Sequence, residues 1–153
     1  MRTQTHTDAV VETLSHLIQT NRDSESGYWT AAEGVKDPAL HTLFHRYCQQ
    51  RARFAAELEQ EIRIHGGERP EGGTIAGKVR GSWQTLKAAI GGGKQSVVLG
   101  SAEDAELGAL EDYEDALQAE LPEYIKETLR QQHDEIQESL QHVRALKEAS
   151  NNK

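Results

Sequence analysis

The chain has 153 residues, a formal net charge of -8 and a sequence pI near 5.4. This length suits one domain with a real hydrophobic core. The acidic balance argues against a nucleic-acid-binding surface, which needs clustered Lys and Arg, and no apolar run is long enough to span a membrane. The N-terminal residues lack the hydrophobic stretch of a signal peptide, and the single cysteine, Cys48, cannot form an intrachain disulfide. We therefore expect a cytoplasmic protein.

Four amphipathic helices are predicted, because apolar residues recur at three- and four-residue steps. Their ranges are about 8–34, 38–65, 95–119 and 122–148. Asp37 supplies an N-cap and Pro38 a proline at the first helical position of the second helix. Gly100-Ser101 is an alternative start for the third helix. No segment alternates apolar and polar residues as a strand does, so the fold class is all-α.

The long connection between the second and third helices decides the predicted topology. It runs from Gly66 to Gly93, whereas the connections within the two helical hairpins are short. One long middle connection lets the second and third helices run parallel across the bundle, as in ferritin-like folds. We therefore predict a single ferritin-like four-helix-bundle domain over residues 1–153.

The same connection contains a predicted crossover helix at about residues 75–90. Its apolar side includes Trp83, and basic residues surround this side. These basic residues are Lys78, Arg80 and Lys87. A basic amphipathic helix can touch a membrane surface or an acidic partner. The interpretation that we favour is that the helix lies across the bundle and buries Trp83.

Polar residues interrupt the apolar stripe of every long helix near its middle. They are Asn21 and Glu25 on the first helix, Arg51 on the second, Glu103 and Glu106 on the third, and Gln132 on the fourth. An unpaired carboxylate in a bundle interior costs several kcal/mol or gives up its charge. These positions therefore predict a central polar cluster in which each carboxylate has a cation, a proton or a hydrogen-bonding partner.

The motifs around these positions resemble a known family. They are the Trp-containing crossover at residues 80–87, Ala105-Glu106 and the stretch at residues 113–117. The chain is similar to uncharacterised bacterial ferritin-like four-helix-bundle proteins that carry a domain of unknown function. The resemblance implies a ferritin-like bundle, often discussed in connection with stress responses, and a homodimer. In the wider ferritin-like group, two metals are bound by a Glu from each of two helices and a Glu-x-x-His from each of the others.

Two interpretations of the central cluster follow. In the first, a di-iron or di-manganese site with ferroxidase-like or peroxide-handling activity is formed by carboxylates and one imidazole. Its ligands would come from Glu25, Glu57, Glu103, Glu106 and His133. In the second, Arg51 forms a buried ion pair network with Glu25 and Glu106, without cofactor or catalysis. We favour the second, because no histidine of the chain follows a glutamate by three residues.

A pair of histidines on the second helix is a separate candidate. His41 and His45 are spaced i, i+4, which places both imidazoles on one face of a helix and allows them to chelate a divalent metal. This spacing is common, so an ordinary surface pair is the interpretation that we favour. Cys48 is expected to be a small buried hydrophobe rather than a nucleophile.

Overall fold

The fold was analysed in a computed structural model, which describes residues 2–65, 79–83 and 95–151, with side chains from residue 8 to residue 150. Four long helices account for most of these residues. They are α1 (Arg2–Gly34), α2 (Pro38–Ile64), α3 (Gln95–Leu117) and α4 (Glu123–Asn151). Residues 79–83 form a short helical segment, and the described ranges contain no strand. The predicted all-α class is confirmed.

The helix boundaries follow from local signals. The Asp37 side chain accepts a hydrogen bond from the backbone N–H of Ala39 at 2.8 Å, and Pro38 takes the first helical position of α2. Helix α1 begins six residues before the predicted residue 8. Helix α3 continues through Gly100, so the alternative start at Gly100-Ser101 is wrong. Glu106 therefore lies about three turns after the first residue of α3.

Helices α1 and α2 form one hairpin, and each packs against one helix of the other hairpin. Helix α1 contacts α3, and α2 contacts α4. Tyr47 of α2 bonds His142 of α4 at 3.1 Å, whereas Glu57 of α2 bonds Gln132 of α4 at 2.8 Å. The numbering rises on α2 while it falls on α4. These two helices are therefore antiparallel.

Helices α3 and α4 form the second hairpin. Glu103 contacts Lys147 at 2.9 Å, and Glu114 contacts His133 at 3.0 Å, so these two helices are also antiparallel. Since α2 and α3 both run opposite to α4, they run parallel to each other at diagonal corners of the bundle. Among the described residues, no helix is long and apolar enough to cross a membrane.

The described part of the crossover packs onto α1. Trp83 is only 5% exposed, and its ring lies where a side chain at Gly27 would be, 2.1 Å from an ideal Cβ position. The ring also contacts the Tyr28 ring edge-on, with centroids 4.8 Å apart. Nearby, Arg80 lies 3.6 Å from the Asp23 carboxylate. The favoured prediction that the crossover buries Trp83 agrees with this packing, while Lys78 and Lys87 lie outside the described residues.

Candidate functional site

The centre of the bundle contains a fully buried ion pair between diagonal helices. Helix α2 places Arg51 and helix α3 places Glu106, and both side chains are 0% exposed. Nη1 and Nη2 of Arg51 donate to Oε1 and Oε2 of Glu106, each at 2.6 Å. Nε of Arg51 donates to Oε1 of Gln50 at 3.0 Å. The planar guanidinium thus matches the planar carboxylate with two parallel hydrogen bonds, the strongest geometry for such a pair.

The environment of this pair keeps Arg51 charged. Burial by itself lowers the pKa of Arg51, but the charge and the hydrogen bonds of Glu106 raise it more, so the pKa is above the ordinary arginine value. The Arg51 guanidinium carbon also lies 5.5 Å from the centroid of the Tyr28 ring, in cation–π contact. Arg51 therefore stays a fixed cation in the core.

A second polar cluster lies beside the ion pair and touches all four helices. Nδ2 of Asn21 on α1 donates to the Tyr113 hydroxyl on α3 at 2.7 Å. This hydroxyl donates to Oε1 of Gln132 on α4 at 2.6 Å, and Nε2 of Gln132 donates to Oε1 of Glu57 on α2 at 2.8 Å. Burial, the largest cause, raises the pKa of Tyr113, so its hydroxyl stays protonated. We call these four residues the Tyr113 relay.

Glu25 is not part of the buried pair, contrary to the prediction. Its side chain is 31% exposed and accepts a hydrogen bond from Nη1 of Arg22 at 2.8 Å, three residues earlier on the same helix. The core positions at this depth of α1 are Ser24 and Tyr28, both 0% exposed. The core face of α1 passes from Asn21 to Ser24, three residues later, so the residues buried at this depth are uncharged. This avoids the desolvation of a carboxylate.

Glu103 likewise lies outside the buried pair, with a side chain that is 17% exposed. It accepts hydrogen bonds from Nε of Arg144 at 2.7 Å and from Nζ of Lys147 at 2.9 Å. These bonds, that to Arg144 first, lower the pKa of Glu103. Its assignment to the central cluster is wrong, because its side chain bonds Arg144 and Lys147 on α4 and not the residues of the cluster.

The predicted metal ligands do not come together. Glu25, Glu103 and Glu106 each bond a different set of cations, Glu57 accepts from Gln132, and His133 bonds Glu114 at 3.0 Å. Within residues 8–65, 79–83 and 95–150, no group of three or more His, Cys, Asp or Glu side chains is placed to hold a metal ion. Both oxygens of the most deeply buried carboxylate, Glu106, are already taken by Arg51.

Sequence reasoning missed the ring contacts of Tyr28, the aromatic residue that lies against the Arg51 guanidinium. Tyr28 contacts the rings of Phe44 and Tyr47, with centroids 5.7 and 5.3 Å apart, and the ring of Trp83. The Tyr28 hydroxyl and Nε1 of Trp83 are buried without a hydrogen-bond partner among the described atoms. Burial, the largest cause, raises the pKa of Tyr28 well above its ordinary value. The helical spacing indicates a core position for Tyr28, but contains no sign of the contact with Trp83.

Residues 9–119 match the family described as "Domain of unknown function (DUF2383)". The chain belongs to this family. A search of curated proteins found no match. The part that matches DUF2383 contains the Arg51–Glu106 pair, most of α1, and all of α2 and α3. It ends before α4 and Gln132.

The chemistry open to this DUF2383 domain is limited by how its buried groups are paired. The Glu106 carboxylate is bound on both oxygens, and the Tyr113 hydroxyl is a neutral donor held by Gln132. Cys48 is partly buried, and burial, the largest cause, raises its pKa, so its thiol is a poor nucleophile at neutral pH. The described polar groups of the centre act on each other, which suits a structural role.

Proposed function

We propose that this DUF2383 domain is a ferritin-like four-helix bundle in which the Arg51–Glu106 pair occupies the centre in place of a metal. Its role is non-catalytic, and its interactions with other molecules take place at the surface. The observation that carries this proposal is the paired geometry at 2.6 Å, in which one guanidinium binds both oxygens of the only described glutamate that is fully buried.

The charge balance of the centre supports this proposal. A divalent cation needs several anionic or neutral ligands that are free to turn toward it. Here Arg51 is a fixed cation that already neutralises Glu106, so a second cation beside it would be repelled. The parallel arrangement of α2 and α3 supports the ferritin-like topology, since that fold also joins its two hairpins by one long crossover.

Elemental analysis of protein purified without chelators tests the absence of a metal centre. We expect far less than one iron or manganese ion per chain, and no iron retained after incubation with Fe²⁺ and desalting. A stoichiometry of about two ions per chain would overturn the proposal. Arg51→Met is the informative variant here, because it frees both oxygens of Glu106; if iron then binds, the guanidinium is what excludes it.

The resemblance to stress-associated bacterial bundles adds two further proposals. We propose that the domain forms a homodimer and that it acts in the cytoplasm under stress. Light scattering after size exclusion tests the homodimer, with a mass near twice the chain mass of 17.0 kDa as the expected result.

Comparison of a deletion strain with its parent under oxidative and osmotic stress tests the role under stress. Equal survival of the two strains in both conditions contradicts this role.

A further inference from the structure

Two histidines of α2 lie side by side close to the turn between α1 and α2. The ring centroids of His41 and His45 are 4.6 Å apart, with the rings at 75° to each other. They are the only two of the seven histidines with a spacing of four residues. Residues at this spacing lie on one face of a helix, so both imidazoles can reach the same ion.

One ring nitrogen of each histidine faces an acceptor on α1. Nδ1 of His41 lies 2.8 Å from the carbonyl oxygen of Ala32, which can only accept, so this nitrogen carries the proton. Nε2 of His45 lies 3.6 Å from Oε1 of Glu33. Metal-bound histidines almost always direct their other N–H to a carbonyl or carboxylate, which fixes the tautomer. Nε2 of His41 and Nδ1 of His45 are thereby left as the ligand nitrogens.

The separation of the rings fits chelation. An imidazole that binds Zn²⁺ through one nitrogen has its centroid about 3.2 Å from the ion, so two such rings at a ligand angle of about 90–110° have centroids about 4.5–5.3 Å apart. The separation of 4.6 Å between His41 and His45 lies within this range.

We propose that His41 and His45 form a surface site for a late first-row divalent cation. The protein provides two imidazole nitrogens and water completes the coordination, so the site is open and exchangeable. Such a site binds Cu²⁺ more tightly than Ni²⁺ or Zn²⁺, as expected for nitrogen ligands. It lies at the turn between α1 and α2, apart from the Arg51–Glu106 pair, and it does not depend on the function proposed above.

A tryptophan beside the site provides a direct signal. The Trp29 ring is 53% exposed and meets His45 edge-on, with centroids 5.2 Å apart, whereas Trp83 is buried. Cu²⁺ quenches an adjacent indole, so titration with CuCl₂ should quench the fluorescence of Trp29 at substoichiometric to stoichiometric metal. Trp29→Phe removes this signal and leaves that of Trp83, which identifies the quenched residue.

Calorimetric titration with ZnCl₂ tests the pair itself. We expect about one ion per chain, and at least a tenfold loss of affinity in His41→Ala and in His45→Ala, since each leaves one imidazole. The matched control, His45→Ala with Gln49→His, keeps seven histidines but places two of them about 12 Å apart along α2, too far for one ion. It should bind as weakly as His45→Ala. Wild-type affinity in either single variant, or in this control, overturns the proposal.

Discussion

Replacing Arg51 alone should destabilise the bundle far more than replacing Arg51 and Glu106 together. Both side chains are fully buried, so Arg51→Met leaves a carboxylate, and Glu106→Leu a guanidinium, without its partner in the core. Removing one member of a buried pair costs about 3–5 kcal/mol, whereas replacing both by apolar residues of similar volume is often neutral or stabilising. We therefore expect a coupling free energy of at least about 3 kcal/mol between the two positions.

Urea unfolding followed by far-UV circular dichroism measures these free energies. With a denaturant slope of about 2 kcal/mol/M, a loss of 3–5 kcal/mol lowers the midpoint by about 1.5–2.5 M. The matched control is the pair of Arg53 on α2 and Glu135 on α4, which meet at 3.0 Å but are 54% and 43% exposed. Replacing Arg53 or Glu135 should change the free energy of unfolding by less than about 1 kcal/mol.

Two outcomes would refute the reasoning about the Arg51–Glu106 pair. One is that each single variant lowers the free energy of unfolding by less than about 1 kcal/mol, since a buried charge without its partner costs about 3–5 kcal/mol. The other is that Arg51→Met with Glu106→Leu loses as much as the two single variants added together, because the two residues would then act independently.

Three other predictions concern the surroundings of the pair. Tyr113→Phe should cost about 2–3 kcal/mol in urea unfolding, because it leaves two buried partners without their hydrogen bond. Gly27→Ala should displace Trp83, whose ring occupies the space of the new methyl group, and shift its fluorescence to the red. Hydrogen bonding to Asp112, the largest cause, raises the pKa of His16 above its ordinary 6.5, so protonated His16 stabilises the fold. His16→Gln should therefore lose stability at pH 5.5 and much less at pH 8.5.

Two of these predictions have a control variant, and the third is checked by its dependence on pH. Tyr28→Phe should cost clearly less than Tyr113→Phe, because the Tyr28 hydroxyl lies near the Glu106 carboxylate but makes no hydrogen bond of good geometry among the described atoms. An effect equal to that of Tyr113→Phe would contradict the account of the Tyr113 relay. Gly81→Ala, with no atom within 4 Å of the added Cβ, should leave the fluorescence unchanged. An equal loss of stability for His16→Gln at both pH values would show that its contribution does not depend on charge.

The sequence predicted the long helices and the ion pair for identifiable physical reasons. The proline at residue 38 and the N-cap before it define the start of α2 without ambiguity. Arg51 stands alone as a charge among apolar residues on the core stripe of α2, so its burial follows from helical periodicity. The stripe of α3 offers two glutamates, Glu103 and Glu106, and periodicity does not choose between them. Opposite charges at matching depth then have to meet, because neither tolerates burial by itself.

The wrong prediction that Glu25 is buried shows that helical periodicity alone does not decide which of two neighbouring residues faces the core. From Asn21, a step of three residues and a step of four both return to the same face of the helix, so the pattern allows either Ser24 or Glu25 inside. The choice depends on what lies beside each position, and Arg22 offers Glu25 a partner near the surface. Burying the serine costs less than burying a second carboxylate that Arg51 could not also neutralise. One guanidinium therefore faces one glutamate, and the core stripe of α1 passes through Ser24 to Tyr28.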